Sequence, residues 1–203
     1  MSAATETQPI SERFKHLQKL ISSERFLKKQ GLGNEVPFFI CPYRPQEANE
    51  MERLQKQLAN KLSQSGIQIL EINLYDLTID ILKKNGDWEW YLEAESKMTK
   101  EELKEELQSI LDIETVLAPV MAEKIKKESH DVIFISGVGE VYPYIRSHNV
   151  LNNLQSIAKD SPMVMFFPGE YTHSLESGAS LDLFGRLHDD KYYRAFNIYH
   201  CEI

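Results

Sequence analysis

The segment Val132-Ile133-Phe134-Ile135-Ser136-Gly137-Val138-Gly139-Glu140 decides the fold class of this chain. A short run of β-branched and aromatic residues stops at a turn marked by glycine, which is the pattern of a buried strand. Residues 37–44 (PFFICPYR) and 163–171 (MVMFFPGEY) repeat this pattern. Strands that are apolar on both faces are typical of a parallel sheet covered by helices. We therefore predict an α/β domain whose loops meet at the carboxyl edge of the sheet, where ligands usually bind.

The rest of the chain predicts one such domain over residues 10–203, after a disordered polar tail over residues 1–9. A helical insertion is predicted at about residues 88–127, between the second and third strands, where a charge-dense stretch is followed by an apolar pattern. Pro119 interrupts that pattern, so we expect a kink or a new helix start there. Within the insertion, Thr99 and Glu102 have the spacing of a helix capping box. After the strand at 163–167 we expect a loose stretch, a short helix over 181–187 and a last strand over 192–199.

Bulk composition limits the function. The chain has 203 residues, a formal net charge of −8 and a pI near 5.3, so direct nucleic-acid binding, which needs a basic surface, is not expected. The two cysteines lie far apart in sequence, which fits free thiols in a reducing compartment. Residues 1–9 are polar, and no segment approaches the ~20 apolar residues of a membrane helix. We expect a cytoplasmic protein without a membrane partner.

The glycines after the third strand do not form a phosphate-binding loop. A P-loop requires Gly-Lys-Ser/Thr at its end, whereas Gly139 is followed by Glu140, Val141 and Tyr142. The dinucleotide fingerprint fails as well, because its third glycine is missing. The glycines are instead explained by a tight turn with positive φ. We predict a sheet with the architecture of a nucleotide-binding α/β domain, without a P-loop and without a bound cofactor.

No catalytic or metal site is predicted. Ser136 lacks the Gly-x-Ser-x-Gly setting of a nucleophile elbow. Cys41 ends a strand and is approachable in principle by His148 or His173, but free cysteines in strands are usually buried hydrophobes. The six histidines are scattered without metal-ligand spacing. A hydrolase or nuclease using Cys41 or the Asp189-Asp190 pair stays open as an alternative, to be tested by mutating these residues.

The loops at the carboxyl edge are better suited to recognition. They contain arginine and tyrosine, which are enriched at binding hot spots. They also contain asparagines, for which a role in capping the loop and helix is as well supported as a role in binding. The candidate partner- or ligand-binding residues are Arg44, Gly137, Gly139, Tyr142, Tyr144, Arg146, His148, Asn152, Asn153, Gly169, Glu170 and Tyr171. A nucleotide or small-ligand sensor that binds without hydrolysis at this edge is the alternative to a protein-binding surface.

Several segments together resemble one protein family. They are FFICPY (38–43), GVGEVYPYIRSH (137–148), LNNL (151–154), FFPGEY (166–171) and YYRAF (192–196). In this combination, from about residue 10 to the C-terminus, the chain resembles the BrxB family of the bacterial BREX phage-defence system.

The resemblance implies a cytoplasmic component of a multi-protein system that methylates host DNA and blocks replication of unmodified phage. Its other members include an adenine-specific DNA methyltransferase, a large ATPase and the alkaline-phosphatase-like protein PglZ. The family offers no catalytic residues to transfer, and it implies a nucleotide-hydrolase-like sheet that lacks phosphate-binding residues. The expected function is therefore a non-catalytic accessory or scaffold subunit that binds other BREX proteins, with PglZ the first partner to test.

Overall fold

The sheet is built from the apolar runs that the sequence marks as strands. The computed structural model of the protein describes residues 6–30, 37–174, 178–187 and 195–201. Within these ranges the strands are β1 (Phe38–Tyr43), β2 (Ile69–Asn73), β3 (Val132–Ser136), β4 (Met163–Ser174), β5 (Gly178–Leu183) and β6 (Phe196–Asn197). Their order across the sheet is β2-β3-β4-β1-β6, and every neighbouring pair along that path is parallel. The predicted α/β fold with a mostly parallel sheet is confirmed.

The first two strands are not neighbours, although one helix connects them. β3 and β4 lie between β1 and β2. The connection from β1 to β2 therefore passes over the positions of two other strands. The later connections run in the opposite direction, from β2 to β3 and then to β4. The sheet therefore has a switch in winding direction next to β1 and β4, and clefts form at such points outside the carboxyl ends of the strands.

Both faces of the sheet are covered. Eight α-helices occur in the described residues: α1 (Ile10–Ile21), α2 (Glu24–Leu27), α3 (Ala48–Gln64), α4 (Leu74–Asn85), α5 (Trp88–Ala94), α6 (Lys100–Ile110), α7 (Ala118–Lys127) and α8 (Ser147–Ile157). Helices α1 to α3 pack on one face, against Phe39 and Cys41. Helices α4 to α8 pack on the other face, against Phe38 and Ile40. Alternate residues of one strand thus enter two separate cores.

The region at 88–127 is helical, as predicted, but it packs closely on the sheet. Tyr91, Leu111, Leu117 and Met121 are buried in the core on the α4–α8 face. A π-helical turn at Ile113–Leu117 joins α6 to α7. The predicted capping box is confirmed at the start of α6, where Thr99 Oγ1 accepts from the Glu102 amide at 3.2 Å and Glu102 Oε2 accepts from the Thr99 amide at 2.8 Å.

The prediction of a short helix over residues 181–187 is wrong. β4 continues through Ser174, and its second half pairs antiparallel with β5, which ends at Leu183. The physical reason is that burial alternates from residue to residue, as it does along a strand. Leu181 and Leu183 are both buried in the core, and Asp182 between them is less buried. In the register of this hairpin, Tyr171 lies opposite Leu181.

The ends of the chain lie close to each other. Residues 1–5 of the predicted tail are outside the described residues, whereas Glu6 Oε2 accepts a hydrogen bond from Asn197 Nδ2 at 3.3 Å. β6 is shorter than the predicted last strand, because a 3-10 turn begins at Ile198. Residues 192–194 of that prediction lie outside the described residues.

Candidate functional site

The three predicted loops do share one edge of the sheet. Tyr43 pairs with Pro168 where the parallel pairing of β1 with β4 ends, and Asn73 pairs with Ser136 at the ends of β2 and β3. Arg44 and Gly137 therefore follow strand ends at the same edge, where Gly169 begins the part of β4 that pairs with β5. Arg44 is exposed, and its backbone amide donates to Glu47 Oε2 at 3.3 Å.

Gly137 has a structural reason to be glycine. Its φ is +73°, and a Cβ at this position would overlap with the Asn73 side-chain oxygen. That oxygen caps α4 by accepting from the amides of Tyr75 at 2.9 Å and Asp76 at 3.3 Å. The glycine thus permits the loop after β3 to lie directly on the helix cap after β2.

Gly139 and Gly169 permit close packing between this loop and the β4–β5 hairpin. A Cβ on Gly139 would lie 2.9 Å from Pro168 Cγ and 3.0 Å from Phe184 Cε1. A Cβ on Gly169 would overlap with the Asp182 carbonyl. These two candidate residues therefore act in packing within the chain, and neither offers a side chain to a ligand.

The two candidate tyrosines are half-buried in the same packing. Tyr142 meets Phe184 edge to face, with ring centroids 6.3 Å apart, and precedes a cis peptide bond to Pro143. The Tyr144 hydroxyl donates to the Glu140 carbonyl at 3.4 Å, and burial raises the pKa of Tyr144. The Pro143 carbonyl accepts from Gln108 on α6 at 3.3 Å, which ties this loop to the predicted insertion.

The candidates on α8 divide into exposed and buried residues. Arg146 and Asn152 are exposed, whereas His148 is only 3% exposed. Asn153 uses its side-chain amide to donate to the Asn149 carbonyl at 2.9 Å, a bond within the helix. The N-cap is Arg146, and Ser147 is the first helical residue.

The last two candidates belong to the hairpin. Glu170 is exposed, whereas Tyr171 is buried, and its hydroxyl donates to the Ala195 carbonyl at 2.7 Å. Burial raises the pKa of Tyr171 to about 12. Arg44, Arg146, Asn152 and Glu170 are thus the predicted residues with exposed polar side chains. Whether any of the twelve contacts a partner stays a prediction.

A groove of about 590 Å³ opens at this edge, and sequence reasoning missed most of its lining. Of the candidate residues it contains only Gly137. The charged residues that line it are Glu52, Lys56, Glu71, Asp76, Asp80, Lys124 and Glu140. Burial raises the pKa of Glu140, and the charges of Glu52 and Asp76 raise it further. These shifts show that the carboxylates lie near enough to repel one another.

The positions of the groove carboxylates can be predicted from the sequence only when the order of the strands and helices is known. Glu52 lies in the helix after β1, and Asp76 and Asp80 lie in the helix after β2, one helical turn apart. In a parallel sheet the helices that follow the strands begin at the carboxyl edge. Acidic residues in the first two turns of these helices could therefore have been assigned to this edge.

The residues considered for catalysis lie in different surroundings. Cys41 is fully buried, with its Sγ 3.3 Å from the Tyr199 hydroxyl, and burial raises its pKa to about 12. Ser136 lines the groove. The His173 side chain and the Asp189-Asp190 pair lie outside the described residues. In the ranges that the structure describes, no group of three or more His, Cys, Asp or Glu could hold a metal ion.

These features define a parallel α/β protein whose carboxyl edge forms an acidic groove between the helices that follow its strands. None of the helices in the described ranges is long and apolar enough to cross a membrane. Comparison with known proteins then places the chain in the BrxB family. Residues 70–198 match the family model described as BREX protein BrxB.

Two relatives carry the same description, BREX protein BrxB. One, from Bacillus cereus (strain H3081.97), is 32% identical over 196 residues, which cover 93% of this chain and 97% of the relative. Another, from Escherichia coli O9:H4 (strain HS), is 30% identical over 191 residues, which cover 94% of this chain and 92% of the relative. No solved structure matches the chain significantly. The chain is thus a BREX-system protein, which implies a role in phage defence.

Proposed function

We propose that this protein is a non-catalytic accessory subunit that binds another component of the BREX complex, with PglZ the first component to test. The observation that carries the proposal is the charge of the groove at the carboxyl edge. Five carboxylates and two lysines line it, so it is built to meet positive charge. Such a surface steers a basic partner toward it and rejects anionic ligands.

Two further observations support a binding role. Cys41, the candidate nucleophile within β1, has no exposed surface. On α5, Trp90 and Leu92 are 53% and 51% exposed, the two most exposed large apolar side chains in the described residues. Tryptophan is among the residues that contribute most binding energy at protein interfaces.

The experiment is affinity purification of the tagged chain from cells that carry its native defence cassette, followed by light scattering of the recovered complex. The proposal expects stoichiometric recovery of PglZ or of another BREX component. The same tag on an unrelated protein of similar charge is the control. A chain recovered alone as a monomer, from cells that express every other component, would contradict the proposal.

The second candidate is a small-ligand sensor, and the groove volume favours it. A volume of about 590 Å³ lies within the range of small-molecule sites. The carboxylates favour a cationic small ligand in this groove and make nucleotides poor ligands for it. The nucleotide version of this candidate therefore requires a site outside the groove, next to Arg146. A nucleotide at ~100 times its dissociation constant should add about 2.7 kcal/mol to the free energy of unfolding. No thermal shift with nucleotides, or a shift that persists in Arg146→Ala, would exclude this version.

A further inference from the structure

Gln55 is a buried polar residue whose hydrogen-bonding capacity is unused. It lies on α3 facing the groove, is only 8% exposed, and makes no side-chain hydrogen bond within the described part of the chain. A side-chain amide carries two donors and one acceptor, and buried amides are nearly always bonded. The Gln55 amide is not among the fully buried side-chain groups that lack a partner, so it reaches the groove, where it can donate to and accept from a ligand.

The carboxylates around Gln55 are also incompletely paired. Lys56 bonds to Glu52 at 2.6 Å, and Lys124 pairs at 3.4 Å with Glu128, the residue that follows α7. Four other groove carboxylates form no ion pair within the described residues, namely Glu71, Asp76, Asp80 and Glu140. The groove thus retains an excess of negative charge after its lysines are accounted for.

Tyr75 adds an aromatic surface to this acidic wall. It lines the groove beside Asp76 and is 39% exposed. A tyrosine face next to carboxylates is the arrangement that receives an arginine or lysine side chain, because the cation stacks on the ring while its N–H groups reach the carboxylates. Negative charge, an aromatic ring and an open amide thus surround one cavity.

We propose that this groove binds a basic, extended peptide segment of the partner protein, a proposal that rests on the partner-binding function above. Its arginine side chains pair with Asp76, Asp80 and Glu140 and stack on Tyr75. Its backbone gives the Gln55 amide both a donor and an acceptor. A free polyamine offers no acceptor to Gln55, which is why a peptide fits the groove better than a small polycation does.

The test measures fluorescence anisotropy of a labelled peptide of alternating glycine and arginine as the full chain is added. Asp76→Asn with Asp80→Asn should weaken binding by about tenfold. A matched control, Glu101→Gln with Glu105→Gln, removes the same charge from exposed positions of α6 and should change binding less than about twofold. Gln55→Met keeps the side-chain volume and should also weaken binding, without loss of folding.

Several outcomes would overturn the proposal. Equal losses of peptide affinity in the groove and control variants would show that the peptide is attracted by the net charge of the protein alone. Spermine that competes for the groove as well as the peptide would show a site for small polycations. Absence of peptide binding would exclude the groove, and if the wild-type chain still recovered its BREX partner, the partner-binding function would stand without it. If no partner were recovered, that function would fail whatever the peptide does.

Discussion

Arg13 on α1 forms an ion pair with Glu47 in the loop after β1, with Nη2 2.9 Å from Oε1. The Arg13 side chain is only 2% exposed, and the Glu47 side chain is 27% exposed. Arg13 also hydrogen-bonds Tyr199, whose hydroxyl contacts Cys41. This network joins the N-terminal helix, the first strand and the C-terminal turn on one face of the sheet.

Removing Glu47 should be costly because it leaves a buried guanidinium without its counter-charge. Breaking a buried pair costs about 3–5 kcal/mol, and the partial exposure of Glu47 reduces this, so we expect about 2 kcal/mol for Glu47→Gln in urea unfolding. The exposed pair of Glu24 with Lys28 is the control, and Glu24→Gln should cost less than about 0.5 kcal/mol. Equal losses would show that the burial of Arg13 does not matter.

Gly137→Ala should destabilise the carboxyl edge more than a comparable glycine change elsewhere. Gly137 and Gly66 both have positive φ, but only Gly137 has the Asn73 side chain in the space of a Cβ. Backbone strain of about 1 kcal/mol is common to both changes. The overlap with the α4 cap should add about 1 kcal/mol more. Equal free energies of unfolding for Gly137→Ala and Gly66→Ala would refute this account of Gly137.

The sequence predicts the core of this fold well and its acidic edge poorly, for one physical reason. Runs such as 132–136 are decided by local hydrophobicity, and the structure confirms them as strands. The groove depends on Glu52, Asp76 and Glu140, whose relative positions follow from a strand order in which β3 and β4 lie between β1 and β2. That order is not encoded in any local pattern.

The same limit applies to the hairpin and to the candidate tyrosines. The leucines in residues 181–187 are compatible with the spacing of a helix and with that of a strand. Residues 181–183 form a strand because they pair with β4. Tyr142 and Tyr171 resemble exposed hot spots in sequence. Their packing against Phe184 and their bond to Ala195, respectively, become visible only with the hairpin in place.

The two thiols should differ in reactivity. Cys41 is fully buried, while Cys201 is partly exposed, and burial raises its pKa to about 11. At pH 8 both are almost entirely thiols, so alkylation of Cys201 should be slow and alkylation of Cys41 should require unfolding. Mass spectrometry after iodoacetamide treatment, with and without urea, measures both. Rapid labelling of Cys41 in the folded chain would reopen its role as a nucleophile.

Trp90 and Leu92 should contribute to partner binding if α5 belongs to the interface. Replacing both by alanine removes two exposed side chains and should reduce recovery of the BREX partner by about tenfold, since interface tryptophans are common hot spots. Leu187→Ala in the hairpin, where Leu187 is 37% exposed, is the control for loss of exposed apolar surface. Full recovery with the α5 variant would remove this helix from the interface.

Glu140 should make the protein less stable at neutral pH than at acid pH. Burial, with the charges of Glu52 and Asp76, raises its pKa above the ordinary carboxyl value. The folded chain therefore holds this proton more tightly than the unfolded chain does. The resulting stabilisation is present below the ordinary carboxyl pKa and is lost as pH rises through the folded-state value.

Glu140→Gln keeps the neutral state at every pH and should raise the free energy of unfolding at pH 7. Glu140 is itself an exposed residue, so solvent screening limits the gain to about 0.5 kcal/mol. It should vanish below about pH 4, where the wild-type carboxyl is itself protonated, and shrink with added salt. Urea unfolding at both pH values measures this, with Glu105→Gln on exposed α6 as the control. The same gain in both variants would indicate relief of net charge, whereas a gain confined to Glu140→Gln would locate the repulsion in the groove.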